Sequence, residues 1–228
     1  MAPISNGRWT ARRGAGTLPP VLRVHRIPCS TNVERVALAA AHKGVGVTWV
    51  DHDPADRSAI VALSGQELVP VAETPDGVVV DSMAIVDWLE AAHPEPPLLP
   101  ADPLGRARAA VFVAWFDRVW KVAPNAMDAE LGSPAPDKAR LDAWTRELHG
   151  SLDVFEGLLA GGPFLLGDAP GVADVCAGPF LRFAVHHPPG DDERFHRILM
   201  EHLAIDAAEP RHPRVRDWIA RVDALPRA

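Results

Sequence analysis

The stretch LRVHRIPCSTNVERVALAAAHKGVGVTWV, residues 22–50, decides the fold. Leu22 to Ile27 mostly alternates apolar and polar residues, the period of a strand with one buried face. Pro28-Cys29-Ser30-Thr31-Asn32 then brings a proline and small hydroxyl and amide side chains, the composition of a helix start. Val33, Val36, Ala37 and Ala40 recur at i, i+3, i+4 and i+7, one apolar face of a helix. Lys43-Gly44 closes it, with a cation near the negative end of the helix dipole and a glycine suited to the cap. Val45 to Val50 reads as a second strand. A helical crossover makes the two strands parallel neighbours, so residues 22–50 form a βαβ unit.

Working outward, Asp51 to Ser64 is polar, with room for a short helix. Leu68-Val69-Pro70-Val71 reads as a strand containing a proline, which a central ladder does not tolerate. Thr74-Pro75-Asp76-Gly77 is a tight turn, and Val78-Val79-Val80 pairs back across it. Asp81-Ser82 caps a helix carrying Ile85, Val86 and Leu89, which stops at His93-Pro94. Five prolines within residues 94–103 make a stiff linker. Asp102-Pro103 then opens an all-helical half. Its apolar stripes are Phe112, Trp115, Phe116 and Val119; then Leu141 through Leu159; then a helix after Gly171, another near Phe195 to Leu203, and a last one with Val215, Trp218, Ile219 and Val222. The expected class is α/β plus all-α: a βαβ-ββα domain over residues 21–93, a linker over 94–102 and a helical domain over 103–228. Residues 1–20 carry Arg8, Arg12 and Arg13 but no acid and no apolar h-region; they read as a disordered tail, with an organelle transit peptide as the alternative.

Composition excludes several classes of function. The chain has 228 residues and a formal charge of −7, which argues against a nucleic-acid backbone as partner. No apolar run is long enough to span a bilayer, so no membrane partner is expected. Tyrosine is absent, so no tyrosine hydroxyl can take part in the chemistry. Two cysteines, Cys29 and Cys176, make no disulfide scaffold, and a cytoplasmic location is the default. No metal-ligand spacing appears among the ten histidines, so no metal is expected.

The pieces Pro28 to Val33, Val69-Pro70, Asp81-Ser82, Leu98-Leu99-Pro100, Gly167 to Asp174, and His212-Pro213 with Trp218-Ile219 resemble the cytosolic glutathione S-transferases in order and spacing, over roughly residues 21–225. The active-site turn is similar to those of the serine and cysteine types, phi-, zeta- or theta-like. The resemblance implies a thioredoxin-like domain followed by a helical bundle, a cis proline at Pro70, glutathione as co-substrate, a small-molecule electrophile and a homodimer.

It also implies a chemistry. A free thiol has a pKa of about 8.5, so roughly 3% is ionised at pH 7. Lowering that by about two units takes roughly 2.7 kcal/mol of selective stabilisation of the thiolate. Ser30 matches the family's catalytic serine, six residues before a helical valine, and would donate its hydroxyl to the bound sulfur; the plainer reading is a helix cap. Cys29, one residue earlier, would instead favour mixed-disulfide or reductase chemistry; its plainer reading is a small buried residue at a strand end. Thr31 and Asn32 are capping or supporting groups at the ligand. The Val69 backbone beside Pro70 would pair with the bound peptide. Asp81 and Ser82 would hold the γ-glutamyl end, with an ordinary N-cap as the alternative. Gln66 would reach the peptide, although Leu68 stands where a polar residue is common. Arg57 or His52 would meet the glycyl carboxylate. Trp115, Phe116, Arg118 and Trp120 would line the electrophile pocket, bundle core being the alternative for the aromatics. Asp174 reads as half of a folding capping box whose hydroxyl partner is replaced by Gly171, and Cys176 as core. Three functions remain open: a glutathione transferase, a glutathione-dependent isomerase or Cys29-based reductase, and a non-catalytic binding module.

Overall fold

The computed structural model describes residues 22–188, 190–191, 193–205 and 211–228; the expected tail lies outside them. The βαβ unit is formed by β1 (Leu22–Arg26), α1 (Thr31–His42) and β2 (Val47–Asp51), with Val24 opposite Trp49 in parallel register. β3 (Val71–Thr74) runs antiparallel to β1, with Ala72 opposite Val24, and β4 (Gly77–Val80) completes a hairpin. The sheet order is β2-β1-β3-β4. The short helix in the polar stretch is α2 (Ser58–Ser64), and α3 (Ser82–Ala92) closes the domain.

One boundary differs from the sequence reading. The strand expected across Leu68-Val69-Pro70-Val71 starts only at Val71, because Pro70 has no N–H to enter the ladder. Leu68 is 72% exposed, and the Val69–Pro70 peptide is cis. A second cis peptide, Glu95–Pro96, lies in the linker.

The helical half begins where Asp102-Pro103 predicts. Asp102 Oδ1 accepts the Gly105 N–H at 2.8 Å, and α4 runs from Pro103 to Trp115. It passes through a single π turn, Phe116–Trp120, into α5 (Val122–Leu131). The apolar stripe revealed the helix but not this change of pitch. α6 (Lys138–Leu158), α7 (Val172–Leu181), α8 (Arg194–His202) and α9 (Pro213–Asp223) complete the bundle. Among the described residues no helix is long and apolar enough to cross a membrane.

Polar groups buried at three places tie these elements together. Asp174 accepts from the backbone N–H of Leu165 at 3.0 Å, from that of Gly171 at 2.9 Å and from the Trp218 indole at 2.7 Å. It joins the loop before α7 to α9; burial pushes its pKa up against the pull of those donors. Lys43, at the end of α1, pairs with Glu90 of α3 and donates to the Pro96 carbonyl at 2.6 Å. Glu90 in turn accepts from the N–H groups of Leu98 and Leu99, so the proline linker is laced to both helices.

The third group joins the two halves. Arg35 is 1% exposed, and its Nε donates to the Cys176 carbonyl at 2.8 Å. Nη1 donates to Ser82 Oγ at 3.2 Å, and Nη2 to Asp117 Oδ1 at 2.8 Å. The guanidinium carbon lies 4.8 Å from the centre of the Phe180 ring. One side chain of α1 thereby touches α3, the π turn and α7. Truncating a buried, fully paired ion leaves its partners unpaired, at about 3–5 kcal/mol. Arg35→Met is therefore expected to lose about 3 kcal/mol or more of unfolding free energy by denaturant titration, and a shift under 1 kcal/mol would contradict this account of the domain junction.

Candidate functional site

β1 delivers the chain into a sharp turn at the carboxyl end of the two parallel strands. Cys29 has φ 69°, a left-handed conformation uncommon for a residue with a side chain, and is exposed. Ser30 follows as N-cap of α1: its Oγ accepts the Val33 N–H at 3.4 Å, and its backbone carbonyl accepts from Glu34 at 3.1 Å. That hydroxyl bond is long, and the hydroxyl proton has no acceptor among the described residues. Ser30 thus presents a donor beside the positive end of a 12-residue helix. The only other non-glycine residue with positive φ among the described residues is Asp81, at 76°, immediately before α3. Such conformations cost about 1–3 kcal/mol each and cluster at ligand sites.

A cleft of about 450 Å³ opens over the first turn of α1, between the two halves. Cys29, Ser30 and Asn32 form its floor, Arg57 and Val69 one wall, and Lys121, Phe180 and Phe195 the facing wall. Its size suits a small ligand. Among the described residues the N–H and C=O of Val69 make no hydrogen bond within the chain, so this backbone edge is free. Arg57 is anchored on the carbonyls of Pro54 and Glu67, at 3.3 and 3.0 Å, neither of which neutralises its charge.

The remaining candidates fall elsewhere. Gln66 is turned back into its own loop: it accepts the Leu68 N–H at 2.6 Å and donates to the Leu68 carbonyl at 2.8 Å, which occupies the amide locally. His52 faces His25, ring nitrogen to ring nitrogen at 2.8 Å, and His25 continues to Glu73 at 2.8 Å. Pro70 is buried behind Val69. Asp81 spends Oδ1 on the N–H groups of Met83 and Ala84, at 2.8 and 3.1 Å, and lines a separate groove between α3 and α4 together with Arg118. Ser82 is 3% exposed beneath Arg35.

The aromatic pocket has to be corrected. Phe116 and Trp120 are 0% and 3% exposed, stacked at 4.5 Å, and the Trp120 indole donates to Ser151 at 2.9 Å. Trp115 packs on Phe112 and Phe155. These rings are bundle core, and the rings at the cleft are Phe180 and Phe195. Cys176 is core as expected: burial pushes its thiol up to about 12, which leaves it inert.

Lys121 is the cleft residue the sequence did not single out. It donates to Asn32 Oδ1 at 3.2 Å and lies 5.1 Å from the centre of the Phe180 ring. Desolvation, with Arg35 nearby, holds its pKa below the ordinary 10.5. Its only sequence signal is scarcity, as one of three lysines, and that says nothing of place.

Residues 24–97 match the family of the glutathione S-transferase N-terminal domain, and residues 138–221 that of the glutathione S-transferase C-terminal domain. Over 208 residues the chain is 31% identical to the maleylacetoacetate isomerase of Pseudomonas aeruginosa, covering 87% of this chain and 91% of that protein. It is 34% identical over 135 residues to a maleylpyruvate isomerase from a Ralstonia species, covering 56% of this chain and 64% of that relative's length. Among solved structures, a glutathione S-transferase from Methylobacterium radiotolerans in complex with glutathione sulfonate is 25% identical with a TM-score of 0.67, over 91% of this chain and 95% of that one.

The low Lys121 pKa carries a sign. Between the folded value and 10.5 the unfolded chain binds the extra proton, so this residue makes stability rise with pH across that window. Lys121→Met is expected to be at least as stable as the parent at pH 7. The parent should gain on it as pH rises toward 10, read as denaturant midpoints; a parent-to-variant difference independent of pH would refute the shift.

Proposed function

This chain belongs to the glutathione S-transferase family, and from that premise we propose that it binds glutathione in the cleft over α1 and uses the thiolate on a small electrophile. The observation that carries the reading is the uncommitted Ser30 hydroxyl at the start of α1, facing the cleft beside the free Val69 backbone. The extended peptide would pair with the Val69 N–H and C=O, which leads its sulfur to Ser30. The hydroxyl and the helix amides would then favour the charged form of the thiol. The Arg57 guanidinium, unneutralised by its carbonyl anchors, would take the glycyl carboxylate. Asp81 and Ser82, engaged in the α3 cap and the Arg35 junction, would serve the γ-glutamyl end only by giving up those partners.

Two outcomes share one first step. The thiolate attacks the electrophilic carbon and a C–S bond forms. In a transfer reaction the leaving group departs with the bonding pair, or an alkene takes up a proton and the conjugate is released. In an isomerisation the addition moves the π electrons of a conjugated alkene onto its carbonyl oxygen. The former double bond rotates, the electrons return, and the thiolate leaves unchanged. The isomerase relatives favour the second course. A reductase would instead use the exposed Cys29 thiolate to attack a disulfide substrate. A mixed disulfide would form at Cys29 as the substrate S–S bond breaks and the other sulfur leaves as a thiol, glutathione then releasing Cys29 by the same exchange. We take glutathione as co-substrate, with a homodimer in the cytoplasm as the expected setting.

Calorimetric titration with glutathione and S-hexylglutathione tests the site, and micromolar-to-millimolar binding that is tighter for the alkylated form is expected. Ser30→Ala should raise the pKa of the bound thiol, followed by thiolate absorbance, and lower kcat/KM about 10- to 100-fold, the weight of one hydrogen bond to a charged group. If Cys29→Ala rather than Ser30→Ala removes the activity, the reductase course replaces this one.

A further inference from the structure

We propose that His25 and His52 are positioning residues for the tripeptide: their ring-to-ring contact sets the loop that carries Arg57, and because the contact admits only one proton between the facing nitrogens, it ties tripeptide binding to pH. The proposal rests on the reading of Arg57 as the group that takes the glycyl carboxylate. Its basis is a chain of three side chains at the carboxyl end of the sheet. Glu73 Oε1 of β3 lies 2.8 Å from His25 Nε2 of β1, and His25 Nδ1 lies 2.8 Å from His52 Nε2, just past β2. The two rings stack with centres 5.1 Å apart, and His25 is 8% exposed.

A carboxylate only accepts, so His25 Nε2 carries a proton toward Glu73. In the neutral pair His25 Nδ1 is then bare and accepts the His52 Nε2–H. A first added proton fits on either ring, since one N–H still lies between the two nitrogens. A second gives both rings two N–H groups. Two donors and two positive rings would then face each other at 2.8 Å, and the contact has to open.

The loop after His52 transmits that opening. Asp53 accepts the Ala55 N–H on its side chain at 2.8 Å and the Asp56 N–H on its carbonyl at 3.1 Å. Asp56 Oδ1 accepts the Ser58 N–H at 3.0 Å, and the Pro54 carbonyl accepts Arg57 Nε at 3.3 Å. Residues 53–58 are thus bonded to one another, and His52 joins them to the sheet through its ring and through its N–H on the Arg26 carbonyl at 2.9 Å. Pro54 and Arg57 both border the cleft. The charges around the pair are few. Arg23 of β1 meets Glu73 at 3.4 Å; Asp51 of β2, bonded to Arg26, and Asp56 of the loop, bonded to Ser58, are the carboxylates that feel the His52 charge. The loop adds Asp53 and Arg57, and neither α2 nor β4 carries a titratable side chain. A doubly protonated pair therefore has Asp51 and Asp56 to draw His52 away from His25.

The test is calorimetric titration with S-hexylglutathione and with its glycyl ethyl ester, at pH 8 and at pH 5. Neither probe has a thiol, so ionisation of the sulfur does not enter. In the wild type the affinity for the acid is expected to fall about fivefold or more from pH 8 to pH 5. The ester should bind more weakly at pH 8, with the two pH values within about twofold of each other. That comparison needs no variant. A glutamine amide can donate to His25 Nδ1 but takes up no proton, so His52→Gln should keep the pH 8 affinity for the acid within about threefold and lose most of the pH dependence. His52→Ala, which cannot reach His25, should bind the acid about fivefold or more weakly at both pH values. An acid affinity that does not change with pH, an ester that changes as much as the acid, or a His52→Ala protein of full affinity overturns the proposal and leaves the glutathione reading intact. So does a His52→Gln protein with the wild-type profile, which would place the titrating group elsewhere, at His196 on the cleft's rim. An ester that binds as tightly as the acid at pH 8 removes the role of Arg57 and the proposal with it. If neither S-hexylglutathione nor glutathione binds at several millimolar, the reading of the cleft itself fails.

Discussion

The guanidinium of Arg35 is the constraint on which the rest of the molecule depends. It is buried, carries a full charge and spends donors on a carboxylate, a hydroxyl and a backbone carbonyl. Those partners belong to three elements far apart in sequence. A desolvated cation tolerates only one arrangement of such partners, because each alternative strands a charge or a polar atom away from water. The relation of α1 to α7 is therefore set by hydrogen-bond geometry as well as by apolar packing. The cleft lies one turn from this junction, so its two walls inherit that precision.

The same junction explains how the cleft acquires its electrostatics. Asp117 answers Arg35 first and Lys121 only at longer range. The neighbouring Lys121 ammonium is met by Asp117 at 3.6 Å, by the field of Asp81 and by the Asn32 amide oxygen, and it borders the cleft. On the opposite side the first turn of α1 contributes backbone amides, and Cys29 accepts a strained conformation so that Ser30 can cap the helix at the cleft floor. Strain at Cys29 and Asp81 is affordable because both follow strands held in one sheet and precede helices packed on it. Scaffold and site are separate in sequence but share the same few residues in space.

Much of this was legible in the residues. The period-2 and period-3.6 patterns of residues 22–50, the turn at Thr74 to Gly77 and the cap at Asp102-Pro103 locate elements because each signal is local and repeated. Cys29, Ser30, Asn32, Arg57 and Val69 are readable as a group because they occupy loop and cap positions whose chemistry is unusual for packing alone. Trp115, Phe116 and Trp120 mislead for the opposite reason. A helical stripe of aromatics states that one face is buried but not what covers it, and here Ser151, Phe155 and Phe180 cover it. Gln66 misleads because a side-chain amide satisfied by its own loop looks the same in sequence as one free to bind.

By itself, then, the sequence determined the order and type of the elements apart from α5, the break between a mixed α/β half and a helical half, and the turn that carries Ser30. Those features follow from local periodicity, capping chemistry and proline geometry, which act over a few residues. The tertiary structure alone decided that Arg35 would bridge the halves and that Asp117 would be shared. It also decided that Phe180 and Phe195, rather than the tryptophans, would face the cleft, and that Lys121 would stand opposite Asn32. These depend on which distant surfaces meet. Burial and the pairing of charges are properties of that meeting, and no spacing along the chain encodes them.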